Sequence, residues 1–512
     1  MNLSSPTWTL APLIAAAGLP ATDLPATPVL DIQSDSRRVR PGSLFVAYRG
    51  LEVDGHEHIP AAIAAGAVAV VAERPLEPAA AVPVVLTPNG RAAWAFLEAA
   101  WRRFPSRRLR LSGVTGTDGK TTTSTLLHHI LTAEGHTVGI VSTLGARVGF
   151  QETDTGLHTS TPTPAQMQQL LADMVRSGCD SAVIEATSEG LAQHRLDGCD
   201  FDLAVVTNVT SDHLYYHGTR EAYLRAKGKL FESLGQGRRS FGLPKVAVLN
   251  RDDCSYDHLR ALPAERHLSY GSSTGADVVI GGVSEREGHL EAHLHTPWGR
   301  AHLRLALVGQ YNAWNAAAAV AAACSWRVPL ERAAGHCSGF SGVPGRMEFI
   351  RQGQPFTVIV DFAHTANALE HALRAVRPIT KGQLIVVFGC AGERDVLKRA
   401  PMAVAAVTLA DHAVFTAEDP RRESLADILA QMETAARGAG AEPGRHYTIE
   451  PDRAAAIRVA LERARPGDTV ILCGKGHEQS MCFGTEERPW DDRRAARQAL
   501  LDRGFVGTAS HP

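Results

Sequence analysis

An α/β fold in several domains is predicted for this chain, and three observations predict it. Its 512 residues exceed the roughly 100–200 that one ordinary domain holds. Short apolar strand-like runs alternate with longer helical patterns along most of the chain. The stretch "GVTGTDGKTTTSTLL", residues 113–127, has the form of a strand that ends in a phosphate-gripping turn and opens a helix. Strands alternating with helices imply largely parallel sheets, which bind ligands beyond their carboxyl ends.

Composition narrows the partners. Hydrophobic residues at 44% and charged residues at 21% are ordinary for a soluble protein. Lys and Arg total 52 against 54 for Asp and Glu, so no net field draws the chain to nucleic acid or anionic lipid, and small molecules are the expected partners. The eight cysteines form no CxxC pair, so neither a zinc ribbon nor a disulfide framework is expected, and a reducing cytoplasm fits. The opening "MNLSSPTWTLAPLIAAAGLPATD" lacks a basic start, and no run approaches about 18 apolar residues, so neither a signal peptide nor a membrane span is expected.

In chain order, residues 1–106 form a small α/β domain with strands at "SLFVAY", "AVAVVAE" and "VPVVLT" and a helix at "HIPAAIAAG". The arginine-rich "WRRFPSRRLRLSG" reads as a solvated helix end and linker. A central domain over 107–344 carries strands at "LRLSGVTG", "TVGIVST", "SAVIEAT", "FDLAVVTN" and "KVAVLN". A third over 345–512 carries "FTVIVDF", "QLIVVFG", "HAVFTAE" and "TVILCG", and the alanine and leucine spacing of "PWDDRRAARQALLDRG" predicts a packing helix.

The usual phosphate loop, G-x-x-x-x-G-K-S/T, would need glycine at position 114, where Val114 stands; glycines fall at 113, 116 and 119 instead. The physics is intact. Gly116, Thr117, Asp118 and Gly119 form the turn, Lys120 can reach outer phosphates, Thr121 can ligate Mg²⁺, and Thr122 sits in the first helical turn. Glu185 and His213 each follow a strand-like run, so both can stand at the edge that carries Lys120. Mg²⁺ favours oxygen ligands, which suits Glu185 and Thr121 better than His213.

The loop form GTxGKTT resembles that of the Mur ligase family, ATP-dependent amide-forming enzymes of peptidoglycan precursor synthesis. "EATS", "TNVTSDHLYYHGT" and "YLRAK" follow in the order and spacing of its tripeptide-forming members. The resemblance implies three domains: a UDP-binding N-terminal α/β domain, a central P-loop ATPase-like domain with a mostly parallel sheet, and a Rossmann-like C-terminal domain. It implies ATP and Mg²⁺ as cofactors, Glu185 and His213 as magnesium ligands, and Lys227 as a carbamylated lysine that is also a ligand; Lys229 reads as a surface residue. Asn250, Asp252, Asn312, Asn315, Arg346, Asp361 and His364 resemble nucleotide contacts. Asp118 stands where the family usually has asparagine.

The same resemblance implies UDP-MurNAc-L-Ala-D-Glu and a free diamino acid as substrates, with the enzyme a monomer. Ser34, Ser36 and the stretch Leu51 to Val53 match uridine-diphosphate contacts. Thr159, Ser160, Thr161, Thr187, Gln193 and Arg195 match muramoyl-dipeptide contacts, although Thr159 and Glu189 depart from the usual asparagine and histidine. "GCAGERDVLKR", "EDPRRES" and "GKGHEQS" resemble amino-acid-binding loops and bring in Arg394, Glu418, Asp419, Pro420, Arg421, Gly474 and Glu478. Asp419 replaces the asparagine usual for diaminopimelate, so its charge should favour a terminal ammonium, as in L-lysine or L-ornithine, whereas Arg421 argues for a distal carboxylate. Related ligases of folylpolyglutamate or cyanophycin synthesis, and a non-catalytic precursor sensor, are the alternatives.

Overall fold

The computed structural model describes residues 8–50, 53–77, 80–149, 151–153, 160–210, 214–236, 241–286 and 289–506. The chain packs into two compact units, Met1–Val279 with Ala317–Ala333, and Ile280–Ala316 with Ala334–Pro512.

In the first unit, the strands Asp31–Gln33, Ser43–Val46, Ala69–Ala72 and Val84–Leu86 pair in parallel in that order. Their side chains and the helix Gly90–Trp101 enclose Leu44, Val46, Val71 and Leu97. That helix starts where Asn89 accepts a hydrogen bond from the Ala92 N–H, the usual service of an N-cap asparagine. The linker arginines are engaged within this unit: Arg102 donates to Gln169, and Arg107 lies 2.7 Å from Asp200 with its guanidinium over the Phe104 ring.

The larger sheet of this unit has Arg110–Thr115 at its centre. Ser181–Glu185 and Leu203–Val206 flank it in parallel, with Val138–Ser142 beyond one and Val246–Asn250 then Arg266–Gly271 beyond the other. Every expected central strand is present. Nearly all of their residues, the polar Ser112, Thr115 and Glu185 included, are buried, as the strands of an interior parallel sheet are. The antiparallel additions Gly145–Val148 and Gln151–Thr153 were not legible as strands.

In the second unit, Thr357–Asp361, Thr469–Cys473, Leu384–Phe388, His412–Phe415 and Tyr447–Ile449 lie in parallel in that order, with Glu348–Phe349 antiparallel at one edge. The C-terminal packing helix forms as Asp492–Asp502 and buries Ala496 and Leu500. Among the described residues no helix is long and apolar enough to cross a membrane.

His128, on the helix Lys120–Ala133, is buried and its Nε2 donates to the Val138 carbonyl at 3.2 Å. Burial, then the nearby Arg147 charge, pushes its pKa down to about 4. The unfolded chain therefore binds a proton that the fold rejects, so this contribution is complete above about pH 6.5 and lost as pH falls toward 4. Denaturant titrations should record about 3 kcal/mol of such loss across that window, and His128→Leu should flatten it.

Candidate active site

Because the central strands are parallel, their carboxyl ends deliver Gly116, Thr143, Glu185, Thr207 and Asn250 to one edge. The loop from Gly116 to Gly119 leaves the middle strand there, and Gly119, at φ 80°, opens the helix at Lys120. The end of the next strand holds the loop. Thr117 N–H donates to the Asn208 carbonyl (2.8 Å), Asp118 N–H to Asn208 Oδ1 (2.9 Å), and Thr207 Oγ1 donates to the Asp118 carbonyl (2.5 Å). A side chain at Gly116 would place its Cβ 1.8 Å from Thr207 Oγ1, so only glycine allows this approach. Lys120 folds back so that Nζ donates to the Thr117 carbonyl at 2.8 Å.

Glu185 is 1% exposed. Its carboxylate accepts from Thr121 Oγ1 (3.1 Å), the Thr143 N–H (3.1 Å) and Thr143 Oγ1 (2.9 Å). Since the Thr143 hydroxyl gives its proton to Glu185, the Ser160 hydroxyl 2.6 Å away must donate to it. Thr161 Oγ1 donates to the Glu185 carbonyl and accepts from the Thr187 N–H, both at 3.0 Å. Arg195 Nη1 donates to the Thr161 carbonyl (2.7 Å) and Nη2 to Gln193 Oε1 (2.8 Å). Burial lowers the Arg195 pKa, opposed by the Glu189 charge. The structure thus joins Thr121, Ser160, Thr161, Glu185, Thr187, Gln193 and Arg195 in one network.

Lys227 is 1% exposed on the helix Arg220–Glu232. Its Nζ donates to the Gly116 carbonyl at 2.6 Å and stands 4.3 Å from the Tyr223 ring centroid, while the Tyr223 hydroxyl meets Thr117 Oγ1 at 3.0 Å. Sequence reasoning missed Thr143, Asn208 and Tyr223. The first two end recognised strand runs, and Tyr223 lies one helical turn before Lys227. Lys229, read as a surface residue, is instead half-buried with Nζ 3.2 Å from His194 Nε2. Asn250 donates to the Thr207 carbonyl (2.7 Å), and Asp252 accepts from Ser272 N–H (2.6 Å). Ser34 and Ser36 are half-buried around a turn capped by Asp35. Thr159, His213, Leu51 and Glu52 lie outside the described residues.

In the second unit, Asn312 donates to the Val308 carbonyl and accepts from Asn315. Asp361 accepts from the N–H groups of Met347 (2.7 Å) and Ala363 (2.8 Å). The Arg346 guanidinium lies 4.4 Å over the Phe362 ring with a buried Nε that has no hydrogen-bond partner. Gly345, at φ 65°, packs on Gly476 and His477 so closely that a Cβ would meet His477 N at 2.1 Å.

The parallel strands of this unit deliver Gly389–Arg394, Thr416–Arg421 and Gly474–Glu478 to one edge, where Arg394 is exposed. Asp419 does not present a free charge. Lys475 Nζ sits 2.8 Å from its Oδ1, which also accepts from the Cys482 N–H, and 2.5 Å from Glu478 Oε2. Burial opposes the Lys475 charge, yet Glu478 and Asp419 hold its pKa above the ordinary value. Arg421 does not pair with Asp419, and its Nε is buried without a partner. Burial raises the pKa of Glu418, whose Oε2 also lacks a hydrogen-bond partner. Asp419 and Arg421 have φ of 37° and 53°, strained values that flank Pro420.

The Gly116 contact is testable. Gly116→Ala should weaken ATP binding by about tenfold or more, and adding Thr207→Ala should restore part of it, both measured by calorimetry.

This geometry has counterparts. The Mur ligase middle domain matches residues 114–323, the Mur ligase glutamate ligase domain 345–476, and the Mur ligase family catalytic domain 30–101. The chain is 46% identical to a Roseiflexus UDP-N-acetylmuramyl-tripeptide synthetase, covering 95% of this chain and 98% of that protein. It is 42% identical to the UDP-N-acetylmuramoyl-L-alanyl-D-glutamate--2,6-diaminopimelate ligase of Geobacillus kaustophilus, covering 93% and 96%. A solved UDP-N-acetylmuramoyl-L-alanyl-D-glutamate--2,6-diaminopimelate ligase superposes with a TM-score of 0.68 at 30% identity over 98% of this chain and all of that one. A Mycobacterium tuberculosis folylpolyglutamate synthase, at 16% identity and a TM-score of 0.60 over 75% of this chain and 92% of its own, shares the fold. With full-length relatives on one side and the phosphate loop, its buried glutamate and the buried lysine on the other, this chain belongs to the Mur ligase family.

Proposed function

We propose that this protein is an ATP-dependent ligase that joins meso-diaminopimelate to the D-glutamate of UDP-MurNAc-L-Ala-D-Glu, in the cytoplasm and as a monomer. The observation that carries the reading is the shared edge on which Lys120, the Thr121–Glu185 pair and buried Lys227 meet around Gly116. Three domains, 1–106, 107–344 and 345–512, divide the work among UDP, ATP and amino-acid binding.

The γ-carboxylate of the D-glutamate attacks the ATP γ-phosphorus, and ADP leaves. The α-amine of the diamino acid then attacks the acyl carbon, and phosphate departs. Lys120 neutralises the transferring phosphoryl group, and the loop backbone orients it. Ser160, Thr161, Thr187, Gln193 and Arg195 orient the dipeptide arm. Thr121 and Glu185 offer only oxygen donors, which fits Mg²⁺; they would hold one ion, and a Lys227 carbamate with His213 a second. Bound Mg²⁺ supplies charge neutralisation at the phosphates. Carbamylation joins CO₂ to the neutral Lys227 amine with loss of a proton, turning a cation into a carboxylate-like ligand.

The choice of diaminopimelate reverses the charge argument made for Asp419. That carboxylate is paired with Lys475, which it shares with Glu478, so its pull on a terminal ammonium is partly offset, whereas the unpaired Arg421 Nε favours a distal carboxylate. Relatives named for 2,6-diaminopimelate support the same choice.

Phosphate release with ATP, Mg²⁺ and the UDP precursor should proceed with meso-diaminopimelate, and kcat/KM should fall by about 100-fold or more with L-lysine or L-ornithine. The reverse preference would restore the charge argument at Asp419. Lys227→Ala should abolish most turnover and regain part of it with a small added carboxylic acid; full activity without the acid would refute the carbamate.

A further inference from the structure

The helix Ser188–Ala192 ends in a form that normally calls for glycine. Arg195 N–H closes on the Gly190 carbonyl and His194 N–H on the Leu191 carbonyl, the paired bonds of a Schellman turn, which leaves His194 in the left-handed region at φ 58°. A histidine that occupies a glycine position at the cost of backbone strain needs a reason in its side chain.

The ring has three partners from three segments. Nδ1 lies 2.6 Å from Asp197 Oδ2. Nε2 lies 2.9 Å from Asn89 Nδ2 and 3.2 Å from Lys229 Nζ. Asn89 Oδ1 accepts from the Ala92 N–H as the cap of Gly90–Trp101, so the amide group facing the ring is its NH₂, and an ammonium has only donors. Nε2 must therefore accept, which puts the proton on Nδ1, donated to Asp197. Each partner leads to a functional element. Asn89 starts the helix that packs on the small N-terminal sheet, Lys229 lies two residues from Lys227, and His194 itself lies between Gln193 and Arg195. Arg91 and Tyr48, from the same N-terminal region as Asn89, are near enough to act on the Arg195 charge.

We propose that His194 is a positioning residue for the UDP-precursor: its neutral Nδ1–H ring couples the N-terminal sheet's helix to the Gln193–Arg195 loop and to the helix that carries Lys227. The substrate's identity rests on the ligase reading above, whereas the coupling does not. It accounts for a histidine where a purely structural turn would carry glycine, and for a lysine that the sequence alone places at the surface.

Two substitutions test it in the full chain. His194→Gly suits the backbone and removes the ring; Asn89→Ser keeps a capping oxygen and removes the amide donor. Hydrogen exchange, which needs no turnover, should show amides of 190–196 and 220–232 losing about fivefold or more protection in both variants while melting temperatures hold. Nitrogen NMR of the native protein should show the Nδ1–H form. In turnover, KM for the UDP-precursor should rise by about five- to tenfold, with kcat and KM for ATP changed by less than about twofold. Unchanged protection in both variants, an Nε2–H ring, or a proportional loss of every kinetic parameter overturns the proposal. A native protein inactive with every diamino acid overturns the ligase reading instead, and the exchange result still decides the role of His194.

Discussion

A carboxylate buried at a strand end is costly unless hydrogen bonds replace its water, and Glu185 is such a carboxylate. Its donors come from the first turn of the phosphate-loop helix and from the residue that follows the neighbouring strand, Thr143, which in turn binds Ser160. The energetic need of one side chain thus fixes the relative placement of the loop, the sheet edge and the segment at Ser160.

The second unit solves a similar problem with ion pairs. Arg453 and Asp492 are fully buried and joined in two places, Arg453 Nε to Oδ1 at 2.7 Å and Nη2 to Oδ2 at 2.6 Å. The guanidinium also donates to the carbonyls of Ala417 and Cys473, the residues that precede the loops at Glu418 and Gly474. A buried pair gains little net stability, but breaking it by removing one partner leaves an uncompensated charge, which costs about 3–5 kcal/mol. The pair therefore holds two loop roots at fixed separation. Lys475 then ties the two loops to each other through Asp419 and Glu478.

Part of the backbone strain lies at these same places. His194, Met347, Glu393, Asp419 and Arg421 all have positive φ without being glycine, and each lies in a loop that carries a candidate contact. Such conformations persist only where surrounding bonds over-determine them, and here those bonds are visible: Arg421 N–H to the Cys482 carbonyl, Glu393 N–H to Glu423, and Met347 N–H to Asp361.

Five parallel strands of the first unit's larger sheet and four of the second unit's sheet were legible in the sequence because buried parallel strands read as apolar runs between glycine or polar loops, a local property, whereas the parallel strands Arg266–Gly271 and Tyr447–Ile449 were not read. Lys120, Thr121 and Glu185 were legible as well, since each sits at a fixed offset from a strand end. Antiparallel pairs such as Gly145–Val148 with Gln151–Thr153 were not, because their pairing depends on partners rather than on pattern. The tertiary structure alone decided which charges pair. Asp419 and Lys475 are 56 residues apart, and His194 lies 105 residues from Asn89; only the packing of several segments brings them within hydrogen-bond reach. A sequence specifies which groups are charged, but the electrostatic meaning of a charge depends on its distance to every other, and that is set only when the chain has folded.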